Sequence, residues 1–251
     1  MTATTAMIPK DVAECLKSRW WRLNNLYYIK GKDGQKIKFQ LNWAQLELYR
    51  KMHYCNLVLK ARQLGITTFF AIYFLDMCIF NSNINAAIVA DRNSNSREIF
   101  RDKVKFAYDN LNPVIKNIAP AHRDNANEYR FENGSSYRVA CSLRGGTTQL
   151  LHISEFGKIC REFPKKAQEI VAGALNTVQA GQFITIESTA EGRDGYFYDM
   201  VHNAQKKQDL GEKLGPLDYK LFFFPWYKEK SYTLDFSDEE AKRIENKIVV
   251  A

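Results

Sequence analysis

Five short apolar runs, each ending in polar residues, limit the folds open to this chain more than any other feature. They fall at 56–59, 85–90, 150–153, 183–186 and 221–224. Runs of this length without polar alternation read as strands buried on both faces. Helix-like stretches separate them, starting near Thr67, Ser96, Pro164 and Gly195. Such alternation predicts an α/β fold: a mostly parallel sheet with helices on both faces. Ligands of these sheets bind at the carboxyl ends of the strands. Three of those ends carry chemically capable residues, at 60–68, 154–155 and 187–191.

Local signals place the flanking elements. A helix is expected over 9–22, with Asp11 and Glu14 near its start and Lys17, Arg19 and Arg22 near its end. Asp33-Gly34 and Asn133-Gly134 each lie between β-like triplets and predict hairpins. Asn42 can cap a helix over 43–53. Residues 112–127 read as an irregular excursion, 142–148 as a Gly-containing loop and 237–247 as a charged helix. The apolar run 69–80 contains Asp76 and is shorter than the about 20 residues that span a bilayer. It is expected as a core helix, and no membrane association is expected. At 221–224 an edge strand is stopped by Pro225, with Trp226 and Tyr227 covering it.

The chain has 251 residues, enough for one large core. Three parts are expected: an N-terminal helix and hairpin at 1–40, a core at 41–227, and a linker at 228–251. Cys15, Cys55, Cys78, Cys141 and Cys160 are odd in number and widely spaced. They read as buried free thiols in a reducing cytosol. The net charge of +8 is lopsided: residues 1–62 hold 12 basic and 4 acidic side chains, and the remaining 189 hold 24 of each. A uniformly basic coat for nucleic acid is therefore disfavoured.

The first polar strand end reads Lys60-Ala61-Arg62-Gln63-Leu64-Gly65-Ile66-Thr67-Thr68. An ordinary phosphate loop, G-x-x-x-x-G-K-[ST], joins a strand to a helix so that backbone N–H groups cradle phosphates. Gly65 and Thr67 fit that pattern, whereas Ile66 stands at the lysine position and Lys60 at the first glycine. Lys60 or Arg62 can supply the missing cation, and the Thr67 hydroxyl can ligate Mg²⁺. The second end places Ser154-Glu155 after an apolar strand. Glu155 can activate water there; Ser154 stands where a metal-holding Asp is expected. His152 reads as a hydrogen-bonded core residue. At the third end, Ser188 or Thr189 can bond a terminal phosphate or Glu155 and relay its state.

Together these segments resemble the ATPase domain of a tailed-bacteriophage terminase large subunit, the DNA-packaging motor. The likeness rests on Ala61-Arg62-Gln63-Leu64-Gly65-Ile66-Thr67-Thr68, on 150–155 and on Ser188-Thr189-Ala190-Glu191-Gly192. Asn42-Trp43-Ala44-Gln45, the run 87–91 with Ser94 and Ser96, and Ser142-Leu143-Arg144-Gly145 extend it to roughly residues 35–227. The resemblance implies an ASCE/RecA-like phosphate-loop NTPase core that hydrolyses ATP with Mg²⁺ to drive double-stranded DNA into a procapsid. It implies nucleotide binding by Gln45, reading adenine, and by residues 60–68. It also implies metal binding by Thr67 and Ser154, catalysis by Glu155 and Arg62, and coupling through Ser188 and Thr189. The implied partners are DNA, a portal protein, a small terminase subunit and further copies in a ring, the isolated chain being a monomer. The implied location is the host cytoplasm, transiently at the portal. A neighbour's arginine can complete such a site, and Arg92, Arg97, Arg101, Arg138 and Arg144 are its candidates. The family's nuclease domain is not expected within residues 228–251.

Two rivals remain on the sequence alone. A helicase-like ATPase needs a second ATPase-like domain, for which the 26 residues after Pro225 are too few. A non-hydrolysing nucleotide- or DNA-binding module is favoured by Ile66 and Ser154.

Overall fold

Successive side chains of a strand point to opposite faces of its sheet, so a strand that is apolar throughout needs a helical layer on each side. The computed structural model describes residues 10–125, 127–143, 147–175, 178, 181–233, 237 and 239–240. The chain begins with α1 (Lys10–Lys17), α2 (Arg19–Asn25), the hairpin β1 (Tyr28–Lys30) and β2 (Lys36–Lys38), and α3 (Trp43–Lys51). Strand β3 (Cys55–Lys60) leads into α4 (Ile66–Phe80), and β4 (Asn85–Val89) into α5 (Asn93–Ile99). A π-helical turn, Phe100–Lys105, joins α5 to α6 (Phe106–Asp109). Then come α7 (Pro113–Lys116), β5 (Ala121–Asn125), β6 (Glu128–Phe131), β7 (Ser136–Ala140) and β8 (Leu150–Ile153). Helices α8 (Phe156–Glu162) and α9 (Pro164–Glu169), a second π-helical turn (Ile170–Ala174), β9 (Phe183–Ser188), α10 (Gly195–Asp209) and β10 (Tyr219–Phe224) complete the main body.

Eight strands form one sheet in the order β10-β3-β9-β8-β4-β7-β6-β5. The run from β10 to β7 is parallel, and β6 and β5 add antiparallel to its far edge. One face packs Val58, Ile88 and Phe222 against α4 and the N-terminal helices. The other packs Leu57, Leu151, Ile153, Ile184 and Ile186 against Phe156 and Ile159 of α8 and Phe197 of α10. The mostly parallel, doubly covered sheet expected from the alternating runs is the one observed. Among the described residues, no helix is long and apolar enough to cross a membrane.

Several local expectations need correction. The helix expected over 9–22 is two helices, because Ser18 leaves the helical conformation and its hydroxyl caps α2 through Trp21 N–H at 3.3 Å. The excursion over 112–127 contains α7 and a strand, β5. The hairpin expected at Asn133-Gly134 is present as β6 and β7, and it extends the main sheet, since β7 also pairs parallel with β4. A helix before Pro164 was not expected, yet α8 starts directly behind the β8 strand end. The helix leading to residue 110 is interrupted by its π-helical turn. Strand β10 is an edge strand as expected, but Trp226 and Tyr227 form a 3₁₀ turn and are 60% and 57% exposed, so they do not cover it. Only Cys55 and Cys78 of the five free cysteines are buried. Arg144, Gly145 and nearly all of the helix expected over 237–247 lie outside the described residues.

The N-terminal helices join the core through a charge. Asp76 of α4 is fully buried, and Arg22 grips it with Nε and Nη2 at 2.9 and 2.7 Å. Tyr27 Oη donates to the same carboxylate at 2.9 Å. Burial and the Asp76 carboxylate both push the Tyr27 phenol well above its usual range. Breaking a buried pair from one side strands the other charge. Arg22→Ala is therefore expected to lose about 3–5 kcal/mol in urea unfolding, and Arg22→Met with Asp76→Leu to recover most of it. A loss under about 1 kcal/mol, the level of a surface pair, would mean that this contact does not anchor the N-terminal segment.

Candidate functional site

Strand β3 ends at Lys60, and the chain crosses to α4 through a loop built on two positive-φ residues, Gln63 (φ 56°) and Gly65 (φ 69°). Glycine suits Gly65 for a second reason: a Cβ there would lie 2.7 Å from Gln45 Nε2. The Gln45 amide is used at both ends. Its Nε2 donates to Gly65 O at 2.9 Å, and its Oε1 accepts from Asn42 N–H at 3.1 Å in a capping box on α3. Asn42 Nδ2 also donates to Leu64 O at 3.0 Å. Gln45 thus braces the loop, and its amide keeps one donor and one acceptor position beyond these bonds.

The other loop residues divide by direction. Leu64 and Ile66 are core residues, so the side chain at position 66 offers nothing to a ligand. Ala61 N–H donates to Phe224 O at 2.8 Å, tying the loop to β10. Arg62 is exposed, and its carbonyl accepts from Tyr232 Oη at 2.7 Å. Thr67 and Thr68 lie in the first turn of α4.

Thr67 points at a carboxylate, Glu187, which lies at the third polar strand end and to which the sequence alone assigns no role of its own. Glu187, in β9, is fully buried on the α4 face. Its Oε1 accepts from Thr67 Oγ1 and, at 3.0 Å, from Ser154 Oγ. His152 Nε2 lies 3.3 Å from Oε1 and Lys60 Nζ 3.4 Å from Oε2. Oε2 itself accepts no hydrogen bond. The sheet explains the convergence. Ile153 of β8 is level with Ile186 of β9, so the next residues, Ser154 and Glu187, stand side by side. The carboxylate absent at position 154 is present one strand over. A period-two signal marked it: His152 and Ser154 alternate with apolar residues, as do Thr185 and Glu187.

Lys60 Nζ also reaches Glu155 Oε1 at 3.0 Å, so one ammonium serves two carboxylates and the trio keeps one negative charge. Burial alone would lower the Lys60 pKa, but Glu187 and Glu155 outweigh it and raise it. Burial alone would raise Glu187, yet Lys60 foremost holds it well below the usual carboxylate range. Glu155 is one of three described non-glycine residues with positive φ, at 56°. That strain aims a partly exposed carboxylate outward where α8 begins.

Thr67, Asp91, Asn95, Lys103, Ser154 and Glu155 help line a cavity of about 220 Å³. Pockets that enclose whole small molecules run to about 300–1,000 Å³, so this one suits a phosphate and a hydrated cation. Its other carboxylates are Asp91 and Glu98, and Asp91 is held by Lys158 at 3.0 Å and Arg92 at 3.2 Å. Lys103, which carried no sequence signal, donates to Thr68 Oγ1 at 3.2 Å.

The residues near 188 divide between the two faces. Ser188 is buried on the α8 face, away from Thr67, and its Oγ has no hydrogen-bond partner. A Cβ on Gly157 of α8 would come within 2.8 Å of it. Thr189 Oγ1 donates to Glu191 Oε1 at 3.3 Å. Of the five arginine candidates, Arg92 and Arg101 are paired within the chain, to Asp91 and Glu162 and to Asp102. Arg97 is exposed, Arg138 is half-buried and Arg144 lies outside the described residues.

No family model matches this chain, and no curated protein matches it in sequence. Among solved structures, the ATPase domain of the Thermus phage P74-26 large terminase aligns with a TM-score of 0.53 at 12% identity, over 77% of this chain and 86% of that one. The large terminase of bacteriophage HK97 gives a TM-score of 0.59 at 17% identity, over 90% of this chain and 46% of that one. This chain therefore spans about half the length of the HK97 protein. At such identities the likeness establishes the fold, which is that of phage terminase ATPase domains.

Ionised Glu187 stabilises the folded state above about pH 4.3, and that contribution disappears only as pH falls through its depressed pKa. Lys60→Met leaves the carboxylate buried without its main counter-charge, so burial dominates and its pKa rises. The variant is expected to lose about 3–5 kcal/mol at neutral pH, with the deficit shrinking as Glu187 protonates at lower pH. Urea unfolding from about pH 5 to 8 measures it. A deficit independent of pH would mean that Lys60 does not balance Glu187.

Proposed function

We propose that the chain is the ATPase motor of a DNA-packaging machine, hydrolysing ATP with Mg²⁺ to drive double-stranded DNA into a procapsid. The observation that carries this reading is the convergence of Thr67, Ser154, Glu187, Lys60 and Glu155 at the carboxyl ends of β3, β8 and β9, beside a phosphate-sized cavity. The fold of terminase ATPase domains supports it.

The donor set fits Mg²⁺, which favours hard oxygens, with one or two carboxylates completed by phosphates and water. Thr67 and Glu187 would hold it, with Ser154 beside them. Glu187 Oε2 accepts no hydrogen bond and is shared only with the Lys60 ammonium at 3.4 Å, so it is the oxygen that would turn to the ion. The ion would neutralise charge on the phosphates. Thr67 fixes its side of the site, because the hydroxyl is already oriented by Glu187. Glu155, at the cavity mouth, orients the attacking water and accepts its proton as the terminal phosphoryl group leaves ADP. Lys60 spans both carboxylates and would stabilise negative charge there. Gln45 and residues 61–66 shape the loop, and Arg62, exposed at its outer edge, is free to approach the phosphates.

Coupling follows from Glu155 being the first residue of the turn into α8. A change at Glu155 moves the start of α8, where Gly157 packs on Ser188 and Phe197. Ser188, with Thr189 next to it, would pass that motion to α10 and thence to surfaces that grip DNA. A ring of copies on a portal, with a small terminase subunit delivering DNA, is the assembly this function needs. An exposed arginine such as Arg97 would complete a neighbour's site.

Purified protein is expected to hydrolyse ATP slowly and only with Mg²⁺. Glu155→Gln should lower the rate by about 10²–10⁴, the usual worth of a general base, with nucleotide affinity nearly unchanged. Undiminished hydrolysis in that variant, or wild-type protein that binds no nucleotide, would contradict the proposal.

A further inference from the structure

A phosphate loop normally brings its own lysine to the terminal phosphate. Here that position is Ile66, buried in the core. Lys60 is near, but it is held between Glu155 and Glu187. One further ammonium faces the cavity, and it comes from another part of the chain. Lys103 lies on the π-helical turn Phe100–Lys105, which packs on α4. It lines the same cavity as Thr67, Ser154 and Glu155.

The charges around Lys103 set it apart. Arg101 pairs with Asp102, Lys30 pairs with Asp102, and Lys105 pairs with Asp109. Lys103 makes no ion pair with any described residue; its bond is to the neutral Thr68 hydroxyl. Lys103 is half-buried, so its ammonium has lost part of its hydration without gaining a counter-ion. Burial lowers the Lys103 pKa, and Glu187, Glu98 and Asp102 offset it only in part. The π-helical turn is the local cause of its direction. A wider turn shifts the face on which the following side chains emerge, and such turns are frequent at functional sites.

Resting on the ATPase reading above, we infer that Lys103 binds the terminal phosphate of the nucleoside triphosphate, in place of the lysine missing at position 66. The phosphate supplies the anion that Lys103 lacks, next to Thr67 and Thr68. The contact distinguishes triphosphate from diphosphate, because only the triphosphate places charge there. It also makes the π-helical turn a reporter of nucleotide state.

The test compares affinities for ATPγS and ADP, each with Mg²⁺, in wild type, Lys103→Met and Lys103→Gln. Lys103→Gln keeps a donor for Thr68 Oγ1 without the charge, and it decides the matter if the methionine variant fails to fold. Both variants should bind ATPγS about 10- to 100-fold more weakly, the worth of one charge-assisted hydrogen bond. ADP affinity should change by less than about 2-fold. A folded variant with the wild-type ratio of the two affinities would overturn the inference and leave the ATPase reading standing. Equal weakening of both nucleotides would assign Lys103 a purely structural role. Wild-type protein that binds neither nucleotide would remove both.

Discussion

A carboxylate with no solvent exposure, Glu187, is the constraint around which this site is arranged. An ionised carboxyl group cannot be buried without partners. Its partners come from two other strand ends and a helix: Lys60 at the end of β3, His152 and Ser154 on and just beyond β8, and Thr67 at the start of α4. Satisfying one charge therefore fixes the relative positions of β3, β8, β9 and the N-terminus of α4. Glu155 is drawn in through Lys60. The loop after β3 is braced from its other side by Asn42 and Gln45.

The same geometry shows where the charge absent at position 154 is supplied. With serine at 154, the strand after which a metal-facing Asp is expected offers only a hydroxyl. The parallel register sets Glu187 beside it, so the negative charge moves sideways by one strand while still facing Thr67. Because neighbours in a strand point to opposite faces, Ser188 is sent to the α8 layer. One strand end thus serves both layers. Glu187 faces the phosphate loop, and Ser188 faces the helix that Glu155 begins.

Much of this was legible from the residues. The apolar runs gave the strands because burial on both faces leaves a continuous hydrophobic signature, and Gly65 with Thr67 marked the loop. Helix α8 escaped because Gly157 and the adjacent Pro164 hide a helix only seven residues long. Strand β5 escaped because its pairing with β6 is a tertiary contact and 121–125 carries no apolar alternation. Glu187 was visible as a residue but not as a partner of Thr67, since that depends on the register between β8 and β9. Lys103 left no trace at all: its direction depends on a π-helical turn that no local signal announced. The bracing bonds of Gln45 left no sequence signal either, since they depend on how α3 packs beside the loop after β3.

The most direct test of the central claim is to locate the metal. Crystals grown with Mn²⁺ and a non-hydrolysable ATP analogue give an anomalous peak at the manganese position. The account predicts that peak beside Thr67 Oγ1 on the Glu187 side, with Glu187 reaching the ion directly or through one water. A peak held by Asp91 instead, with Glu187 still engaged by Lys60, His152 and the two hydroxyls, would contradict it.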